Sequence, residues 1–155
     1  RMAKPAKKRK GDVKEDISNL QFGEDFGPEA GVEALFNAEV KAILATGLNP
    51  ENMDELSEMM QGSIEYVNTA PGRYQDVESV TSCKMELMNT TATGESIEDG
   101  RWGGQKLVTF EAAALGNLQP ENSEEAKSLI KSLARFDDAD VEEMCQIVQR
   151  FKSTE

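Results

Sequence analysis

Apolar residues recur at helical spacing through most of this chain, and this periodicity limits the fold more than any other feature of the sequence. Residues at i, i+3, i+4 and i+7 share one face of an α-helix, so each such stripe predicts a helix with one buried side. Pro28 suits the first turn of the first predicted helix, and Gly47 suits the position that ends it. The stripe of this helix is Val32, Leu35, Phe36, Val40, Ile43 and Leu44.

Further stripes of the same period predict more helices, at about 49–67, 76–88, 110–118, 123–130 and 137–152. Residues typical of helix N-caps precede the last three of these helices: Thr109, Asn122 and Asp137. The sequence therefore predicts a mainly α fold of five or six helices.

One short segment, 17–26, has the pattern of a strand instead. Leu20 and Phe22 lie two residues apart and would share one face of an extended chain. No second convincing strand follows, so we expect this strand to pair with a sheet of a partner protein. The alternative is an irregular segment that packs on the chain's own helices.

A long glycine-rich segment, 89–106, interrupts the helical pattern. It exceeds the ~12–15 residues usual for a loop inside a compact domain, so we predict a flexible insertion. Trp102 lies within it. This side chain either anchors a partner or folds back onto the nearest edge of the core, and the second is the commoner behaviour.

The charge is divided unevenly along the chain. There are 17 Lys and Arg against 29 Asp and Glu, and six of the bases lie in residues 1–10. Eleven bases therefore face 29 acids in the remainder, a net charge of −18. So acidic a body binds nucleic-acid backbones poorly, because this affinity comes largely from Lys and Arg.

Catalytic and metal-binding residue patterns are missing from the sequence. The chain has no His, the commonest general base and metal ligand, and its two Cys residues lie far apart. Cys83 and Cys145 are predicted to be reduced thiols of the core. We expect no catalytic residues, no metal and no cofactor, and hence a chain that works through protein partners.

The N-terminal residues 1–16 carry little apolar content and are predicted to be a disordered tail. The cluster Lys7, Lys8, Arg9 and Lys10 is typical of a nuclear-localisation signal, although a merely solvated tail explains it as well. No apolar run is long enough to span a bilayer, and nothing resembles a signal peptide, so we expect no membrane association.

Four segments in order resemble a known family. They are Asp16–Phe26, Leu35–Val40, Ser63–Val67 followed by Arg73-Tyr74, and Phe110–Leu133. Their motifs resemble those of subunit four of eukaryotic RNA polymerase II, and the block Phe110-Glu-Ala-Ala-Ala-Leu-Gly-Asn-Leu118 with Pro120–Leu133 is the most specific part. Lys131 stands where the family has Pro, and Thr90–Gln105 is an insertion.

The resemblance implies an HRDC-like helical domain at 49–155, preceded by a strand and helix at 17–48 that dock on subunit seven. It further implies a non-catalytic stalk subunit next to the clamp of the polymerase core. Such a subunit acts in the nucleus in transcription initiation, in recruiting transcription and mRNA-processing factors and in mRNA-linked events, and it meets nucleic acid only through the complex. Shuttling to the cytoplasm is left open. The residues expected to bind the partner are Leu20, Phe22, Phe26, Leu35, Phe36, Val40, Ile43 and Leu44.

Three alternatives stay open at this point. In the first, the apolar stripe of the first helix packs entirely on the chain's own helices. In the second, the chain is an HRDC-like nucleic-acid-binding module, since HRDC-like domains elsewhere bind DNA. In the third, it is the equivalent stalk subunit of another nuclear RNA polymerase.

Overall fold

The computed structural model describes residues 15–23, 31–47, 56–70, 72–91, 93, 95–97 and 100–153. Within these ranges the protein is mainly helical, as the sequence predicts; its likeness to the HRDC fold stays a prediction. The helices are α1 (Asn37–Gly47), α2 (Glu58–Thr69), α3 (Val77–Met88), α4 (Thr109–Leu118), α5 (Ser123–Leu129) and α6 (Asp138–Phe151). Two short 3₁₀ turns, Ile17–Asn19 and Lys131–Arg135, complete the regular structure of this part.

The chain divides into two units, Arg1–Val32 and Glu33–Glu155. The family resemblance instead implies a boundary of the helical domain at residue 49. The difference arises because Phe36, just before α1, is fully buried in the core of the second unit. Helix α1 is therefore part of the helical domain.

The described part of the first unit is a tight turn. Asp16 and Gln21 exchange backbone hydrogen bonds of 2.9 Å around the 3₁₀ turn Ile17–Asn19. Leu20 adopts a left-handed conformation, with φ of 55°, which reverses the chain just before Phe22. The prediction of an extended strand here is wrong for the described residues 15–23, because this local hydrogen bonding closes the backbone on itself.

The core of the second unit lies between α3, α4 and α6, with α5 packed on α6. Their inward faces follow the apolar periodicity in most places, but Val77 of α3 and Leu129 of α5, which the same periodicity predicts to face inward, are 50% and 51% exposed. Apolar side chains from the segments around the helices close the core. The fully buried apolar residues of the three central helices include Cys83, Leu87, Ala112, Leu115, Val141, Met144, Cys145, Ile147 and Val148.

Several helix starts follow from local hydrogen bonds. The Asp76 carboxylate accepts from Ser79 N at 2.7 Å, and the Asn122 side chain accepts from Glu125 N at 2.9 Å. Each satisfies a backbone donor that the first turn leaves unpaired. Thr109 was predicted to cap α4 and is instead its first residue.

The glycine-rich insertion is anchored to the core. The Trp102 side chain is 2% exposed, and its indole N–H donates to the Leu87 carbonyl oxygen at 3.1 Å. The prediction that Trp102 folds back onto the core edge is confirmed. The described part of the insertion is thus held to the core at Trp102, while the flexibility of the segment 89–106 stays a prediction.

Candidate protein-interaction surface

Phe36 is the predicted partner-binding residue whose position differs most from expectation. Its side chain is fully buried, 6.0 Å from the Tyr74 ring, and it lies against Gly116 of α4. A Cβ at Gly116 would overlap the Phe36 ring. The prediction that Phe36 contacts a partner is wrong, because its ring occupies the space on α4 that Gly116, which has no side chain, leaves open.

The start of α1 is fixed to the same core. Asn37 N donates to the Asn117 side-chain oxygen at 2.8 Å, and Phe36 N donates to a Glu39 carboxylate oxygen at 2.7 Å. Lys84 of α3 contacts the same carboxylate at 3.4 Å. These bonds supply partners for the unpaired N–H groups of the first turn. They hold α1 in one position against α3 and α4.

The outward residues of this segment are exposed or half-buried. Ile43 is 56% exposed and Leu35 40%, while Val40 and Leu44 are half-buried. All eleven residues of α1 are described, and none is fully buried. The stripe therefore divides: Phe36 faces the core, and its neighbours are left at the surface.

Helix α2 packs against α1 and is more open still. None of its twelve residues is fully buried, although five are apolar or aromatic. Met59 is 82% exposed and Tyr66 57%. These two were missed from the sequence, where the stripe of this helix was drawn through Met60, Ile64 and Val67; their signal is the seven-residue spacing that puts them on one face. We call the exposed apolar side chains Leu35, Ile43, Met59, Met60 and Tyr66 the α1–α2 surface.

The other predicted partner residues lie in the first unit. Leu20 and Phe22 are half-buried in the turn. Phe26 and the basic cluster Lys7, Lys8, Arg9 and Lys10 lie outside the described residues.

A buried carboxylate supports the opposite end of α4. Glu111 is fully buried and accepts from the Ser132 hydroxyl at 2.6 Å, from the Val108 N–H at 3.1 Å and from both terminal nitrogens of Arg135. Arg135 also donates to the Lys106 carbonyl oxygen at 3.0 Å. Every oxygen of the carboxylate has partners, so this cluster ties α4 to the 3₁₀ turn Lys131–Arg135. Glu111 was not singled out from the sequence, where an acid in a first turn usually faces solvent.

Both cysteines are free and buried, as predicted. Burial raises the pKa of the Cys83 and Cys145 thiols from 9.0 to about 11. Burial likewise raises the pKa of the Tyr74 hydroxyl, which donates to the Gly116 carbonyl oxygen at 2.8 Å. These groups stay protonated at neutral pH and serve packing.

We expect both thiols to resist modification in the native protein. At pH 8 the thiolate fraction is lower by roughly a hundredfold than at an unshifted pKa, and the thiolate is the reactive species. Reaction with a disulfide reagent such as dithiobis(nitrobenzoate) should be at least about tenfold slower than for the same chain in urea. If native protein released one equivalent of the reagent's thiolate product at the rate seen in urea, this expectation would be contradicted.

A metal centre and a membrane-spanning helix are both absent from the described residues. Among the described residues, no group of three or more Cys, Asp and Glu side chains is arranged to hold a metal ion. Within the same ranges, every helix is too short or too polar to cross a lipid bilayer.

In the part of the chain that the structure describes, a closed helical core thus leaves apolar side chains of α1 and α2 exposed. The chain belongs to the RNA polymerase Rpb4 family, whose sequence profile matches residues 9–152. It is 26% identical to DNA-directed RNA polymerase II subunit 4 of Arabidopsis thaliana, over 92% of this chain and 99% of the relative. It is 32% identical to the Dictyostelium discoideum subunit rpb4, over 91% and 92%, and 27% identical to that of Schizosaccharomyces pombe, over 83% and 84%.

Proposed function

We propose that this chain is a non-catalytic stalk subunit of RNA polymerase II that pairs with subunit seven and joins the polymerase core near the clamp. In this role it supports transcription initiation, the recruitment of transcription and mRNA-processing factors, and mRNA-linked events in the nucleus. The family membership supports the complex, since the three relatives named above are all RNA polymerase II subunits.

The exposure of the α1–α2 surface carries the proposal. Large exposed apolar side chains grouped on two neighbouring helices mark interaction sites more often than a random surface does. Ile43, Met59 and Tyr66 are each more than half exposed, while the core beneath them is closed. A partner that covers these side chains would bury the face that the domain itself leaves open.

Composition supports a non-catalytic role on separate grounds. The chain has no His, and burial keeps its two thiols protonated. With a net charge of −12 it also has little affinity of its own for nucleic acid, which the partner is then expected to contact.

The double variant Leu35→Asp/Ile43→Asp should lose pairing with subunit seven. Two carboxylates in a desolvated interface cost at least about 2 kcal/mol of binding free energy, which raises the dissociation constant roughly 30-fold. Isothermal titration calorimetry with purified subunit seven measures the change. The matched control is Leu129→Asp on α5, which replaces a similarly exposed leucine, 51%, outside the α1–α2 surface.

Circular dichroism separates loss of binding from loss of fold, since the side chains of Leu35, just before α1, and Ile43, in α1, are both exposed. A double variant that is folded and binds with the affinity of the Leu129→Asp control would contradict docking through α1.

A further inference from the structure

The anchored insertion encloses a cavity of about 310 Å³ next to the C-terminal end of α3. The residues that line it include the bases Arg101 and Lys106, the aromatic Trp102 and the hydroxyl-bearing Ser96. Among the described residues of its lining, two are cationic and none is acidic. This described part of the lining suits an anionic group.

The cationic side of this cavity is held in place. The Arg101 guanidinium lies 4.7 Å from the centre of the Trp102 ring and donates to the Glu143 carboxylate at 2.8 Å and to the Glu86 carbonyl oxygen at 3.4 Å. Gly103 and Gly104 have φ of 61° and 82°, a conformation that glycine adopts without strain. Arg101 is thus fixed beside the cavity, where Glu143 at 2.8 Å and the Glu86 carboxylate at 3.9 Å are its present partners.

Ser96 lies at this cavity in an exposed, acidic stretch. It is exposed, and its sequence neighbours are Glu95 before it and Ile97, Glu98 and Asp99 after it. A serine followed by carboxylates two and three positions later is the substrate pattern of acidic-directed serine/threonine kinases. The local sequence and the position at the cavity therefore both indicate the Ser96 hydroxyl.

We propose that Ser96 is a phosphorylation site of an acidic-directed kinase and that Arg101 and Lys106 receive its phosphate in this cavity. The Ser96 hydroxyl oxygen attacks the γ-phosphorus of ATP. The new O–P bond replaces the bond from that phosphorus to the bridging oxygen, ADP leaves with the bonding pair, and the hydroxyl proton passes to the base of the kinase.

The cations are needed because the same acids that direct the kinase repel its product. A phosphoserine carries about −1.5 to −2 charges at pH 7 and three acceptor oxygens, and it forms strong bonds to Arg. Glu143, whose side chain is 51% exposed, is the partner that Arg101 can exchange for the phosphate at low cost. Phosphorylation would thus tie Ser96 to Arg101 within the insertion. The inference does not depend on docking through α1 and α2.

The test uses the full chain, an acidic-directed kinase of the casein kinase 2 type and ATP, with the modified residue identified by mass spectrometry. We expect one phosphate, absent from Ser96→Ala. Phosphorus NMR should place its second pKa at least about 0.5 below the usual value of roughly 6, because the cations favour the dianion.

Lys106→Ala should return that pKa toward its usual value, while the matched control Lys41→Ala, an exposed lysine on α1, should not. Incorporation at Thr91 or Thr93 in place of Ser96, or none, would overturn the assignment of the site. A phosphate on Ser96 with an unshifted pKa, or a shift that survives Lys106→Ala and Arg101→Gln, would overturn the cavity as its receiver.

Discussion

Phe36→Ala should lower the free energy of unfolding by about 3–5 kcal/mol, the range for removing a fully buried phenylalanine from a core. The ring fills the gap at Gly116 and lies beside Tyr74, so its removal leaves a cavity that the backbone of α4 cannot close. Urea unfolding followed by circular dichroism measures the loss. Ile43→Ala, in α1 and 56% exposed, is the matched control and should cost less than about 1 kcal/mol.

Gly116→Ala tests the same contact from the other side. Alanine in a helix interior is ordinarily more stable than glycine by about 1 kcal/mol. Here the added methyl group would overlap the Phe36 ring, so we expect destabilisation. A stabilised Gly116→Ala variant together with a loss below about 1 kcal/mol for Phe36→Ala would contradict the inward position of Phe36 and return it to the partner surface.

Glu111→Ala is the second large effect, and we expect a loss of about 3 kcal/mol. Removing one member of a buried ion pair leaves the other uncompensated, which costs about 3–5 kcal/mol. The lower end applies because the Arg135 side chain is 27% exposed and can regain water. The Ser132 hydroxyl and the Val108 N–H also lose their acceptor.

A double-mutant cycle separates this pair from simple loss of volume. Glu111→Ala/Arg135→Ala should cost clearly less than the sum of the two single variants, because the double variant leaves no charge unpaired. Glu124→Ala, an exposed acid on α5, is the control and should be nearly neutral. Strict additivity would mean that the two charges do not stabilise each other.

The helical periodicity predicts α3 and α6 well because each contributes one uninterrupted face to a single core. It fails at Phe36, since period alone cannot say which member of a stripe meets the core. That choice depends on Gly116, 80 residues away in sequence. The turn at Asp16–Gln21 was missed for a local reason: a side-chain and backbone hydrogen-bond pattern outweighs the spacing of two apolar residues. The apolar stripe of α1 could be predicted from the sequence, whereas the exposure of Met59 and Tyr66 beside it required the fold.

Assembly with subunit seven is decided by affinity purification of the tagged full chain from its own cells, followed by quantitative mass spectrometry. We expect subunit seven and the two large subunits of RNA polymerase II to co-purify in near-equal amounts with the unaltered chain. We expect Leu35→Asp/Ile43→Asp to lose them and Leu129→Asp to retain them. Recovery of the chain without subunit seven, or with the large subunits of a different nuclear polymerase, would contradict this assembly.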